Sequence, residues 1–333
     1  MPNIYDRREG ENIADYKERL YKNRSIYGLE WEDVTKILKK EENPDHTRKT
    51  SYGYLERIED EKNSNKFDKS VMIINDIHVP YEREDVLEII SKHADEITTL
   101  VIGGDLMDCQ SISFFPKIRT LTLEEELIYT YEFLKKVRKI LNNEQKIIII
   151  NGNHEERWYK DICNMHEKEM QKFINPNLID MMIEGFTIYE DNKKKKYDGI
   201  KDIIYIPHWF VNIENKIIVC HQKDFSKVKG KMLENAAQHF LNRNEEFDVL
   251  VVTHTHKYSS GVVDRFQNKF VVENGCLCLP QSYADKGNLG FSPQTYCYSI
   301  IKYNNDKNVD YNNIKTYFLS NVEVKEKNFK VEL

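Results

Sequence analysis

Five short apolar runs in this chain each end on a side chain that can ligate a metal, and no other feature narrows its folding options as much. Val71-Met72-Ile73-Ile74 leads into Asn75-Asp76-Ile77-His78, Leu100-Val101-Ile102 into Gly103-Gly104-Asp105, and Ile147-Ile148-Ile149-Ile150 into Asn151-Gly152-Asn153-His154-Glu155. Ile217-Ile218-Val219-Cys220 reaches His221, and Val249-Leu250-Val251-Val252 reaches Thr253-His254-Thr255-His256. Runs of this length and β-branched content read as strands buried on both faces. Side chains at the carboxyl ends of neighbouring strands converge on one crevice.

The donor set is specific. Asp76, His78, Asp105, Asn153, His221, His254 and His256 make seven potential ligands, more than one tetrahedral zinc can use. They suit a pair of divalent ions that share a carboxylate, roughly 3.5–4 Å apart, the arrangement that clamps both oxygens of a phosphoryl displacement. Imidazole favours Mn, Fe, Co, Ni or Zn, while the carboxylate and amide oxygens keep harder ions such as Mg possible. Manganese is the expected ion.

In this order, Asp76-x-His78, Gly104-Asp105-x-x-Asp108, Gly152-Asn153-His154-Glu155, His221 and His254-x-His256 resemble the five blocks of the calcineurin-like metallophosphoesterase superfamily over about residues 70 to 260. The resemblance implies a four-layer α/β/β/α sandwich. It also implies that Asp76, His78 and His256 hold one metal, that Asn153, His221 and His254 hold the other, and that Asp105 bridges them. His154 is implied to face the scissile phosphate as an electrostatic or acid catalyst, with Asp108 orienting it. The implied nucleophile is a hydroxide made by lowering the pKa of a water. Two positions depart from the family pattern: Cys220 and Thr253 stand where glycine usually precedes the histidines, which puts the local backbone in doubt. Gly104 to Ser113, Gly152 to Arg157 and Glu273-Asn274-Gly275-Cys276-Leu277-Cys278 further resemble phosphoesterases common in phages and prophages.

The remaining sequence sets the surroundings. With 40% hydrophobic residues in 333, the chain can bury one large core and a small accessory one. The opening residues lack a signal-peptide core and no run reaches the length of a membrane span, so a cytoplasmic enzyme of a bacterial or phage-infected cell is expected. The six cysteines lack zinc-type C-x-x-C pairs and read as free thiols. Cys276 and Cys278 are expected on opposite faces of a strand. A net charge of -6 argues against broad coating of nucleic acid, yet Arg157 and the cluster Lys223, Lys227, Lys229 and Lys231 could meet an anionic substrate. The alternative for those lysines is a solvated loop face. Lys193 to Lys196 read as a solvated run. Trp158 and Tyr159 could stack a base or pack beneath a loop.

Residues 1–68 form a separate, charge-rich region, followed by a catalytic domain at 69–333. Trp31, Val34, Ile37 and Leu38 have helical spacing, and a second helix starting near Lys49 would present Arg48, Lys49, Tyr52 and Tyr54. This resembles a helix-turn-helix unit for DNA, and a helical packing or dimerisation element fits equally. Further helices are expected at 84–93, 123–141 and 232–242, with antiparallel strands at 261–274 and 296–303 closing one sheet. The expected activity is a two-metal phosphodiesterase acting on nucleic acid, a nuclease. The alternatives are a phosphatase or phosphodiesterase of small nucleotides and, more remotely, a DNA-binding regulator with a vestigial domain. Protein-serine phosphatase fits less well, because Cys109 and Gln110 follow Asp108 where that branch carries arginine.

Overall fold

The computed structural model describes residues 5–24, 27–41, 67–114, 121–165, 167–172, 174–190, 193–226, 228, 230–264, 269–280, 294–304, 309 and 311–321. The chain divides into two compact units, Met1–Phe67 and Asp68–Leu333. In the first, helix α1 (Ile13–Lys22) begins where the Asn12 side chain accepts the Asp15 amide, and α2 (Trp31–Glu41) carries acidic residues in its first turn and lysines in its last, as the helix dipole favours. Tyr16 and Leu20 on α1, and Val34 and Leu38 on α2, are four apart and therefore share a face; with Tyr21 they form the unit's buried core. The expected second helix near Lys49, with Arg48, Tyr52 and Tyr54, lies outside the described residues.

The second unit is built on two sheets. Strands β1 (Lys69–Ile74), β2 (Thr99–Ile102), β3 (Lys146–Ile150) and β6 (Ile203–Ile206) run parallel, and β12 (Cys297–Tyr303) and β13 (Ile314–Phe318) add antiparallel strands in the order β13-β12-β1-β2-β3-β6. The other sheet runs β10-β11-β9-β8-β7, from β7 (Phe210–Ile213), β8 (Ile217–Cys220), β9 (Val249–Val252), β10 (Ser259–Asp264) and β11 (Lys269–Glu273). Its centre, β8, β9 and β11, is parallel. Strand alternation decides how the layers stack. Val71 and Ile73 of β1, Val101 of β2 and Ile148 and Ile150 of β3 meet Ile217, Val219, Val249 and Val251 of the other sheet in one core. Their neighbours Met72, Ile74, Leu100, Ile102, Ile147 and Ile149 face outward onto α3 (Val86–His93) and α4 (Leu123–Ile140). On the far side, Ile218, Cys220, Leu250 and Val252 pack on a helix at Lys231–Asn242 through Leu233, Ala236, Ala237 and Phe240. Helix, sheet, sheet and helix therefore alternate.

The expected helices appear with slightly shifted ends. For α4 the boundary has a local cause: Thr122 accepts the Glu125 amide while the Glu125 side chain accepts from Thr122 in return, a reciprocal cap. The expectation that 261–274 and 296–303 close one sheet is corrected. β10 and β11 extend the five-stranded sheet, β11 in parallel with β9, whereas β12 pairs antiparallel with β1 in the other. Segment composition makes a strand but does not choose its neighbour. Lys193 to Lys196 form the exposed strand β5 (Lys193–Asp198) of a hairpin with β4 (Gly185–Glu190), which the sequence reading missed. No helix among the described residues is long and apolar enough to cross a membrane.

Candidate metal centre

The chain turns sharply as β1, β2 and β9 end. Asp76, His78, Asp105, His254 and His256 have φ values of 48°, 53°, 50°, 87° and 57°, the left-handed region that side chains rarely enter. Such strain persists where the surroundings enforce it, and here backbone bonds do so. The Asp76 amide donates to Gly104 O at 3.1 Å, and the His78 amide to Asp105 O at 3.0 Å, lacing the loops after β1 and β2 together.

The two buried carboxylates are each tied by one oxygen. The His254 amide donates to Asp76 Oδ2 at 3.0 Å, and the His154 amide to Asp105 Oδ1 at 3.0 Å. Their other oxygens face the histidines. Asp76 Oδ1 lies 3.2 Å from His256 Nε2, and Asp105 Oδ2 lies 3.3 Å from His221 Nε2 and 3.8 Å from His78 Nε2. Two imidazole nitrogens, His78 Nε2 and His256 Nε2, approach to 3.3 Å, and Asn153 Oδ1 stands 3.1 Å from His221 Nε2. All seven expected ligands are therefore brought together. Four follow strands of the six-stranded sheet and three follow β8 and β9, so the centre sits where the two sheets end side by side.

The residues fit cations. Asp76 Oδ1 and His254 Nδ1 are buried without a hydrogen-bond partner, which is costly unless an ion engages them. His78 Nδ1 faces the Asp108 carboxylate at 2.8 Å and His221 Nδ1 faces Gly103 O at 3.0 Å, so each ring, when neutral, keeps its proton outside and turns a lone pair inward. Burial disfavours the ionised form of Asp105, but His154 and His221 hold its pKa well below the usual range. Burial opposes charge on His78 too, yet the Asp108 hydrogen bond and the negative charges around the ring together outweigh it and raise the pKa to about 9. For His254 burial prevails, with the His221 charge adding to it, and the pKa falls to about 4.

Asp108 reaches His154 and a second histidine besides. The Asp108 carboxylate is closer to His78 Nδ1, at 2.8 Å, than to His154 Nδ1, at 3.2 Å. The Asp108 backbone carbonyl accepts from His154 Nδ1 at 2.6 Å. Asp108 thus braces two histidines by two different groups. His154 Nε2 lies 3.7 Å from Asp105 Oδ2 and accepts from Arg157 Nη2 at 2.8 Å, while burial lowers its pKa.

The other candidates divide. Arg157 also donates to the Asp108 carbonyl at 2.9 Å, so it belongs to the centre's wall. Lys223 pairs with Glu156 at 2.7 Å and Lys231 with Glu234 at 2.9 Å, whereas Lys227 and Lys229 lie outside the described residues. Trp158 donates to Asn175 O at 2.9 Å and packs on the core, while Tyr159 is exposed. Cys276 and Cys278 do not take opposite faces: residues two apart in extended chain share a face, and both lie in one buried cluster with Tyr296. Thr253 raises no backbone difficulty, since the left-handed φ falls on His254. Its hydroxyl donates to Gly103 O at 2.8 Å.

Several contributors escaped the sequence reading. Glu155 accepts the Met107 and Gly152 amides, each at 2.9 Å, and burial with the Asp105 charge raises its pKa to about 7. Buried Glu273 accepts from Thr255 between the two histidines, and Asn274 bonds Asn75 beside Asp76. Glu126 accepts from Gln110 N at 2.9 Å and Ser111 Oγ at 2.7 Å, anchoring the loop after Asp108. Glu155, as the last residue of Gly152-Asn153-His154-Glu155, and Glu273 and Asn274, in the segment running to Cys278, carried a local signal, whereas Glu126 did not.

A family model described as calcineurin-like phosphoesterase matches residues 69–258, and one described as the YonJ N-terminal domain matches residues 2–63. No curated protein matches. Among solved structures, vacuolar protein sorting 29 from Cryptosporidium parvum is 12% identical, with 76% of this chain and 100% of that one covered at a TM-score of 0.37. A metallophosphoesterase from Sphaerobacter thermophilus is 12% identical, covering 76% of this chain and 88% of that one at 0.36. Zinc-complexed Vps29 from Entamoeba histolytica is 14% identical, covering 75% and 98% at 0.34.

Proposed function

The chain belongs to the calcineurin-like phosphoesterase family, and from that premise we propose that it is a two-metal phosphodiesterase acting on nucleic acid. Metal-dependent phosphoester hydrolysis follows from the family. The observation that carries the two-metal reading is Asp105, whose Oδ2 lies within 4 Å of both His221 Nε2 and His78 Nε2. In this reading Asp76, His78 and His256 hold one ion, Asn153, His221 and His254 the other, and Asp105 both. The ions, when bound, supply Lewis acidity and lower the pKa of a water; manganese is the proposed pair. Once Arg157 leaves it, His154 Nε2 would take up a solvent proton and give it to the leaving oxygen, while the Asp108 carbonyl fixes the far nitrogen. Arg157 would exchange His154 for a phosphoryl oxygen.

Charge supports a diester over a monoester. Arg157 is the cation that the described residues place against His154, and one guanidinium matches the single charge of a diester better than the roughly −1.5 to −2 of a monoester near neutrality. A manganese-supplemented assay comparing bis-p-nitrophenyl phosphate, p-nitrophenyl phosphate, cyclic nucleotides and single- and double-stranded DNA tests this. Faster turnover of the monoester than of every diester would sink the phosphodiesterase reading; cleavage of cyclic nucleotides but not DNA would move the substrate to small nucleotides.

A further inference from the structure

Three of the four candidate histidine ligands turn Nε2 inward, and each needs something to hold Nδ1. His78 has the Asp108 carboxylate at 2.8 Å and His221 the Gly103 carbonyl at 3.0 Å. His256 has the carboxamide of Gln294, at 2.7 Å. We infer that Gln294 is a positioning residue that sets the tautomer of His256 and so completes one metal site, an inference that rests on His256 being a ligand.

The amide can face the ring in two ways, since its oxygen and nitrogen are alike in shape and are told apart only by their hydrogen bonds. With nitrogen toward the ring, as the structure places it, the amide donates to Nδ1 and leaves the imidazole proton on Nε2. That proton would point at Asp76 Oδ1 and His78 Nε2, 3.2 and 3.3 Å away, where a ligand needs its lone pair. With oxygen toward the ring, the same position accepts Nδ1–H. Cys278 Sγ lies 3.5 Å from the same amide atom and 3.9 Å from His256 Nδ1. The second orientation satisfies Nδ1–H and opens Nε2.

The backbone around Gln294 is built to keep it there. Thr295 donates to His256 O at 2.8 Å, and its own carbonyl accepts from the Cys276 amide at 2.9 Å. Residues 294 and 295 therefore grip His256 by ring and by carbonyl, while His256 itself sits at φ 57°.

The test is manganese titration calorimetry on the full, metal-stripped chain, paired with ¹⁵N-histidine NMR. The His256 signal is identified by its loss in His256→Gln. Gln294→Leu should weaken one of two sites by about 10–100-fold, the usual effect of removing such a partner, and leave the other unchanged. Gln294→Glu, which only accepts, should keep wild-type affinity and the Nδ1–H signature; Gln294→Lys, which only donates, should lose both, and this pair decides the matter if the leucine variant fails to fold. Wild-type affinity and an unchanged His256 signal in both the leucine and lysine variants would overturn the inference while leaving the metal centre intact. Absence of manganese binding by the wild type would overturn both.

Discussion

Asp105 is the side chain on which both halves of the centre depend. Asp105→Ala should remove most of both ions and the activity, whereas Tyr159→Ala, at an exposed position, should leave metal content unchanged; elemental analysis after gel filtration measures it, and full occupancy in the Asp105 variant would refute the bridging role. His154 is separable from metal binding because its Nδ1 is held by a backbone carbonyl, and its own tie to Asp105 runs through the main-chain amide, which a substitution keeps. His154→Asn is expected to keep two ions and lose about 10²–10⁴ in turnover on a diester with a poor leaving group, the range for one positioned acid. Near wild-type rates on that substrate would assign His154 elsewhere.

The turns after the strands are tightly fitted. Gly104, at φ +86°, would place a Cβ 2.4 Å from His221 Nδ1, so Gly104→Ala must both strain the backbone, by roughly 1–2 kcal/mol, and push the ring away. Metal stoichiometry should fall toward one ion, with a lowered Tm. Gly261 has open space around it, and Gly261→Ala should change neither. The helix at Lys231–Asn242 tests packing alone: Phe240 is fully buried against Trp209 and Phe210, with ring centroids 5.5 and 5.1 Å away. Phe240→Ala should cost about 3–5 kcal/mol in urea unfolding while the folded fraction still binds metal. A loss under 1 kcal/mol would mean that the helix is not held by this ring.

Across the whole molecule, all seven ligands lie in the second unit, and the first unit has a core of its own. We propose that residues 1–67 contribute nucleic-acid affinity without chemistry. Deleting them should weaken DNA binding and flatten its salt dependence by about 0.9 in log-log slope per lost duplex phosphate contact, with hydrolysis of bis-p-nitrophenyl phosphate retained. Fluorescence anisotropy over a salt series decides it. Two equally weak, flat curves would favour small nucleotides as substrates and a packing role for α1 and α2.

What the sequence determined by itself was local. A run such as Val71 to Ile74 is a buried strand because it is continuously apolar and rich in β-branched residues, and Thr122 with Glu125 starts a helix because the cap spans three residues. The ligands at the ends of those runs were legible for the same reason, since strand and donor are adjacent in the chain. Tertiary structure decided what crosses long separations. It paired β12 with β1 and kept β10 and β11 in the other sheet, because pairing depends on neighbours and register, not on composition. It set Asp108 between two rings and brought Gly103 O to His221 Nδ1 across 118 residues. It also gathered Cys278 and Gln294 behind His256. Those partners decide which nitrogen each histidine offers, and a one-dimensional pattern of residue types carries no information about an orientation fixed by a contact through space.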